Sequence, residues 1–83
     1  MNDAPANRLV IGLAQINCTV GDIAGNCALL RQARAEAAGF GADLVMFSEL
    51  FIAGYPPEDL VLKPAFLEAC RTACELVAAE ETF

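Results

Sequence analysis

Eighty-three residues with eleven acidic against five basic side chains, a formal charge of −6 and no histidine offer no Lys or Arg cluster to neutralise phosphates, which argues against nucleic acid as a partner. Any anionic nucleotide used by the intact protein is expected to be held mainly elsewhere. The hydrophobic fraction of 57% and the mean hydropathy of +0.47 exceed what so small a unit hides, since a chain of this length buries only about 60% of its unfolded surface. Composition thus predicts one domain at most, and a piece of a larger body.

In chain order, Met1 to Asn7 lacks the basic start and apolar stretch of a signal peptide, so a flexible N-terminus over residues 1–7 and a cytoplasmic, non-membrane protein are the expectations. Arg8 to Asn17 is apolar on both alternating faces, the pattern of a central parallel strand covered on two sides. Gly21-Asp22 turns the chain. From Asn26 to about Ala38, Leu30, Ala33 and Ala37 recur at helical spacing, with Arg31, Arg34 and Glu36 left for a wetter face. Gly39 and Gly41 stop that helix. Asp43 to Ser48 reads as a second strand, and a strand, helix, strand order with short links makes a right-handed parallel crossover nearly obligatory. After Tyr55-Pro56-Pro57, Pro64 suits a first helical turn, and Phe66, Leu67, Cys70, Ala73, Cys74 and Val77 repeat at helical intervals opposite Glu68, Arg71 and Glu75. The expected order is β-α-β-α, an α/β unit with too few strands to complete a parallel sheet.

All four cysteines, Cys18, Cys27, Cys70 and Cys74, fall in patterns that read as buried elements, where free thiols act as small hydrophobes and no disulfide framework is expected. Cys70 and Cys74 are spaced like two metal ligands on a helix, but no histidine completes a set, and no metal is expected.

Glu49 closes the apolar run Leu44-Val45-Met46-Phe47-Ser48. The carboxyl ends of parallel strands open onto the ligand crevice, so a carboxylate delivered there is a candidate acid or base. Capping a turn or pairing with a basic side chain is the bland alternative. Gly54 frees the backbone and Pro56-Pro57 stiffens the exit, holding Tyr55 on a constrained segment near Glu49, where its phenol either packs or offers a ligand a hydrogen bond.

Three blocks, Gln15 to Asn26, Ala42 to Leu50, and Gly54-Tyr55-Pro56-Pro57-Glu58-Asp59-Leu60, together resemble the start of the nitrilase, or carbon-nitrogen hydrolase, superfamily. The third block resembles in particular the branch that forms the glutaminase domains of glutamine-dependent NAD⁺ synthetases. The match runs from about Leu9 to the C-terminus, and Ser48 departs mildly from the proline many members carry before the Glu. The resemblance implies that residues 8–83 are the N-terminal part of a carbon-nitrogen hydrolase (glutaminase) domain, an incomplete β-α-β-α portion of a nitrilase-like α-β-β-α sandwich. It also implies a Glu-Lys-Cys triad in which Cys attacks the side-chain amide of glutamine, Lys supports the tetrahedral intermediate and Glu manages the protons.

Glu49 matches the family's Glu, and Tyr55 matches a position beside the glutamine pocket. Glu58 and Asp59 belong to the signature, with a loop-organising role the simpler reading. Lys63, the only lysine, precedes Pro64 rather than ending a third strand, and none of the cysteines has the nucleophile's context. The chain by itself is therefore expected to be inactive. In the family, released ammonia passes to a separate domain that uses ATP and Mg²⁺ to amidate deamido-NAD⁺, and the glutaminase domains build homo-oligomers. Alternatives are a plain amidase, nitrilase or carbamoyl-amide hydrolase using the same triad, or an inactive module that pairs through its exposed sheet edge.

Overall fold

The computed structural model describes residues 7–80, in the order β1 (Ile11–Ala14), α1 (Ile23–Gly39), β2 (Leu44–Phe47), a 3-10 helix (Glu58–Leu62) and α2 (Pro64–Ala79). The expected flexible N-terminus falls on residues 1–6, outside the described residues, apart from Asn7, which is exposed in a turn. β1 and β2 pair in parallel with the register Ile11↔Leu44, Gly12↔Val45, Leu13↔Met46 and Ala14↔Phe47, the outcome expected of the crossover. Both strands are shorter than the apolar runs that encode them. Before β2, the Asp43 carboxylate accepts from the Val10 amide at 2.9 Å while its own amide donates to the Val10 carbonyl at 2.7 Å, which fixes the register at the entry end.

α1 begins three residues before the predicted Asn26. Asp22 is the reason: as N-cap it accepts from the Gly25 amide at 3.0 Å, satisfying one of the free donors of the first turn. The helix stops at the glycines, as predicted. Gly41 takes a left-handed φ of +82°, the Ala42 amide donates to the Ala37 carbonyl, and the Gly41 amide donates to that of Ala38, a Schellman closure. Gly12 lets helix and sheet approach closely: a Cβ there would meet that of Ala37 at 3.3 Å.

Further expectations are corrected. β1 is not covered on both sides: Ile11 and Leu13, with Leu44 and Met46 beside them, remain exposed, because α1 covers only the face of Gly12, Ala14, Val45 and Phe47. Nor does Arg34 lie on a wet face. It is buried where α2 crosses α1, donating to the Val77 carbonyl and to Glu80, while Arg31 reaches Glu80 at 2.8 Å. An arginine's long stem packs like a hydrocarbon, which is how a charged residue takes an interhelical position.

α2 starts with Pro64 at its first turn, as predicted. Phe66, Cys70, Ala73 and Val77 form its half-buried stripe, whereas Leu67 and Cys74, predicted for the same stripe, are exposed because nothing described covers that side. The buried hydrophobic side chains among the described residues are Cys27, Leu30 and Phe51.

Candidate functional site

Because Ala14 pairs with Phe47, the two strands end at the same level. The segments that follow, Gln15 to Cys18 and Ser48 to Glu49, therefore leave from one end of the sheet. They meet Tyr55 to form a cleft of about 380 Å³ lined by Ile16, Asn17, Cys18, Ser48, Glu49 and Tyr55. The two residues singled out in the sequence are thus brought together, six positions apart along a loop that doubles back.

Glu49 is exposed and stands two residues beyond β2. Its bland role as an ion-pair partner is not the one it plays among the described residues, since Arg31 and Arg34 are bound to Glu80, and Arg71 is bound to Glu68 and Glu75. Leu50, which follows it, has a φ of +58°. A branched aliphatic residue resists that left-handed geometry, and such strain gathers where a site over-determines the backbone.

The loop from Leu50 to Tyr55 is anchored residue by residue. Phe51 is buried, its ring centroid 5.2 Å from that of Phe47. The Ile52 carbonyl accepts from Asn26 Nδ2 at 2.9 Å, and the Ala53 carbonyl accepts from the Gly21 amide at 2.9 Å. Gly54, buried at φ +88°, lies so close to the first loop that a Cβ would fall 2.4 Å from both the Thr19 carbonyl oxygen and Val20 Cα. Only glycine satisfies both the angle and the approach. Tyr55 emerges from this clamp with its ring half in solvent, ahead of a cis bond to Pro56.

Sequence reasoning missed Asn17, Cys18 and Ser48 as cleft walls and Asn26 as a tie. Parallel pairing was itself the signal for the first three, since strands that run together must release their following loops side by side. For Asn26 the signal was weak, because asparagine near a helix start reads as a cap.

The cysteines divide by environment. Cys27 is buried, and chiefly that burial pushes its thiol up. Burial does the same to Cys70, whereas Cys74 is exposed and Cys18 is half-buried in the cleft wall. Lys63 is exposed at the N-cap of α2 and is not among the cleft residues. Glu58 and Asp59 open the 3-10 helix, both exposed. Among the described residues no three metal-ligating side chains converge and no helix is long and apolar enough to cross a membrane.

Comparison with known proteins agrees with this picture. The sequence model of the carbon-nitrogen hydrolase family matches residues 10–83. A glutamine-dependent NAD(+) synthetase of Xylella fastidiosa strain Temecula1 is 51% identical over 75 residues, 86% of this chain and 13% of that protein. Proteins of the same name from Thermotoga maritima and Rhodobacter capsulatus are 48% and 45% identical, over 77% and 89% of this chain and 11% and 13% of their own lengths. The chain thus spans a small part of the curated relatives it matches.

Proposed function

The chain belongs to the carbon-nitrogen hydrolase family, and from that premise we propose that residues 8–83 serve as the N-terminal portion of the glutaminase domain of a glutamine-dependent NAD⁺ synthetase. The observation that carries the reading is the convergence of Glu49 and Tyr55 in one cleft at the shared exit of two parallel strands. In the complete domain the sheet becomes one half of an α-β-β-α sandwich.

Glu49 is the general base in this reading. It takes the proton of a cysteine thiol, the thiolate attacks the glutamine side-chain carbonyl, and a lysine stabilises the resulting oxyanion. Collapse of that intermediate forms a thioester and expels ammonia, which receives the proton Glu49 had taken. Glu49 then removes a proton from the water that hydrolyses the thioester to glutamate and free thiol. Tyr55 binds the substrate at the mouth of the cleft. Cys18 shares the cleft but sits in the turn after β1, outside the nucleophile context the family resemblance implies. We assign the thiol and the lysine to sequence outside these residues.

Nothing among the described residues fits a magnesium nucleotide: three of the five basic side chains are held in internal ion pairs and no metal-ligating group converges. ATP, Mg²⁺ and deamido-NAD⁺ belong, in this proposal, to a separate domain that receives the ammonia, in a cytoplasmic homo-oligomer.

The test is Glu49→Gln in the complete polypeptide that carries these residues. Glutamine-driven NAD⁺ synthesis should fall by about 10² to 10⁴, the usual contribution of a positioned acid or base. Synthesis from added ammonia should stay within about twofold, since the loss lies in one half-reaction alone. Equal loss with both nitrogen sources refutes the assignment.

A further inference from the structure

Asn26 is the one fully buried polar side chain of its size among the described residues, with no solvent exposure. The three hydrogen bonds its carboxamide makes all go to loop backbone rather than to its own helix. Oδ1 accepts from the Thr19 amide at 2.8 Å, and Nδ2 donates to the Thr19 carbonyl at 2.8 Å and to the Ile52 carbonyl at 2.9 Å. Thr19 adjoins Cys18 in one wall of the cleft, and Ile52 lies between Glu49 and Tyr55 in the other.

We propose that Asn26 is the positioning residue of this cleft, a single carboxamide that clasps both loops and sets the spacing between Glu49, Tyr55 and the opposite wall. The inference rests on the glutaminase reading for what the spacing serves, not for the clasp itself. Asn26 does not itself line the cleft. It acts through the backbone of Thr19 and Ile52, and it suits this task because a carboxamide alone among small side chains offers one acceptor and two donors in a plane. A buried group so matched costs little to keep and much to alter, since each lost partner leaves a backbone atom desolvated without a bond. The neighbouring contacts reinforce the clasp, because Gly54 packs against Thr19 and Val20 on the same seam.

Asn26→Asp discriminates. The carboxylate keeps the acceptor for the Thr19 amide but turns oxygen toward the Thr19 and Ile52 carbonyls, so the seam opens with almost no change in side-chain volume. In the complete polypeptide, kcat/KM for glutamine should fall by about a hundredfold, the effect of a displacement near 1 Å at reacting groups. KM should rise several-fold, because Tyr55 moves along with Glu49. Leu30→Ala, which removes core packing one turn along the same helix at a residue that does not line the cleft, should lower the melting temperature and leave KM unchanged. A merely structural Asn26 reduces the folded fraction, lowering apparent kcat at constant KM. That result, or an equal rise of KM in Leu30→Ala, overturns the proposal. If Asn26→Asp does not accumulate, Asn26→Ser, which reaches at most one of the two carbonyls, is judged by the same KM criterion.

Alkylation of Cys18 by iodoacetamide, followed peptide by peptide in the native polypeptide, tests the clasp without reference to turnover. The rate should rise about tenfold in Asn26→Asp and not in Leu30→Ala, and an unchanged rate refutes the clasp. Absence of glutamine hydrolysis by the unmodified polypeptide would instead refute the functional reading, with the clasp still decided by the Cys18 rate.

Discussion

At the scale of single residues, Gly54 leaves no room for a side chain. Alanine there must adopt φ +88° and place its methyl 2.4 Å from the Thr19 carbonyl oxygen. The left-handed backbone costs about 1 kcal/mol or more, and forcing atoms into a packed seam adds about 1 to 3 kcal/mol. Gly54→Ala should therefore lower the unfolding free energy of the complete polypeptide by about 2 to 4 kcal/mol, read from denaturant midpoints, and a loss under half a kcal/mol would contradict the seam. The two cleft residues proposed to carry the chemistry are legible in the sequence, because Glu49 follows an apolar run and Tyr55 sits in a Gly-Tyr-Pro-Pro turn. How they are held is not. The role of Asn26 depends on carbonyls 7 and 26 residues away, and the left-handed turn at Leu50 leaves no trace in residue type.

At the scale of elements, strand and helix order and the main buried stripes of α1 and α2 are legible from periodicity, but the edges of those stripes, Arg34 on α1 and Leu67 and Cys74 on α2, are not. Period places residues around a helix and does not say which sides find a partner. Arg34 reads as solvated and proves to be the link between helices, with Arg31 and Glu80 completing the cluster. The paired guanidinium groups of Arg31 and Arg34 lower the Glu80 carboxyl from 4.5 to about 2. A carboxylate depressed in the folded state adds stability above its unfolded pKa, and that contribution is lost as pH falls through the folded value. Docking of α2 on α1 should thus hold above about pH 4.5 and loosen between pH 4.5 and about 2, seen as faster amide exchange along Pro64–Ala79. In Glu80→Gln, that exchange should already be fast at neutral pH and show no further step in the acid window. An identical acid step in the variant would assign the transition to another group.

At the scale of the whole molecule, the three buried apolar side chains among the described residues and an open face of Ile11, Leu13, Leu44 and Met46 do not make a core able to offset ~1.5 kcal/mol of conformational entropy per ordered residue. The 83-residue chain on its own should bind a hydrophobic dye, aggregate and lack a sharp melt, whereas a cooperative monomeric transition in calorimetry would refute this. The composition already pointed there, since apolar content too high for the length is the arithmetic of surface awaiting cover. The pairing of Ala14 with Phe47 has a last consequence. Side chains alternate along a strand, so a slip of one residue in β2 would turn Leu44 and Met46 toward α1, set Val45 and Phe47 outward, and shift Glu49 by one residue against the cleft wall of Ile16, Asn17 and Cys18. Folding and chemistry therefore share one phase: the parity that keeps the sheet dry on its helix side is also what aims the carboxylate.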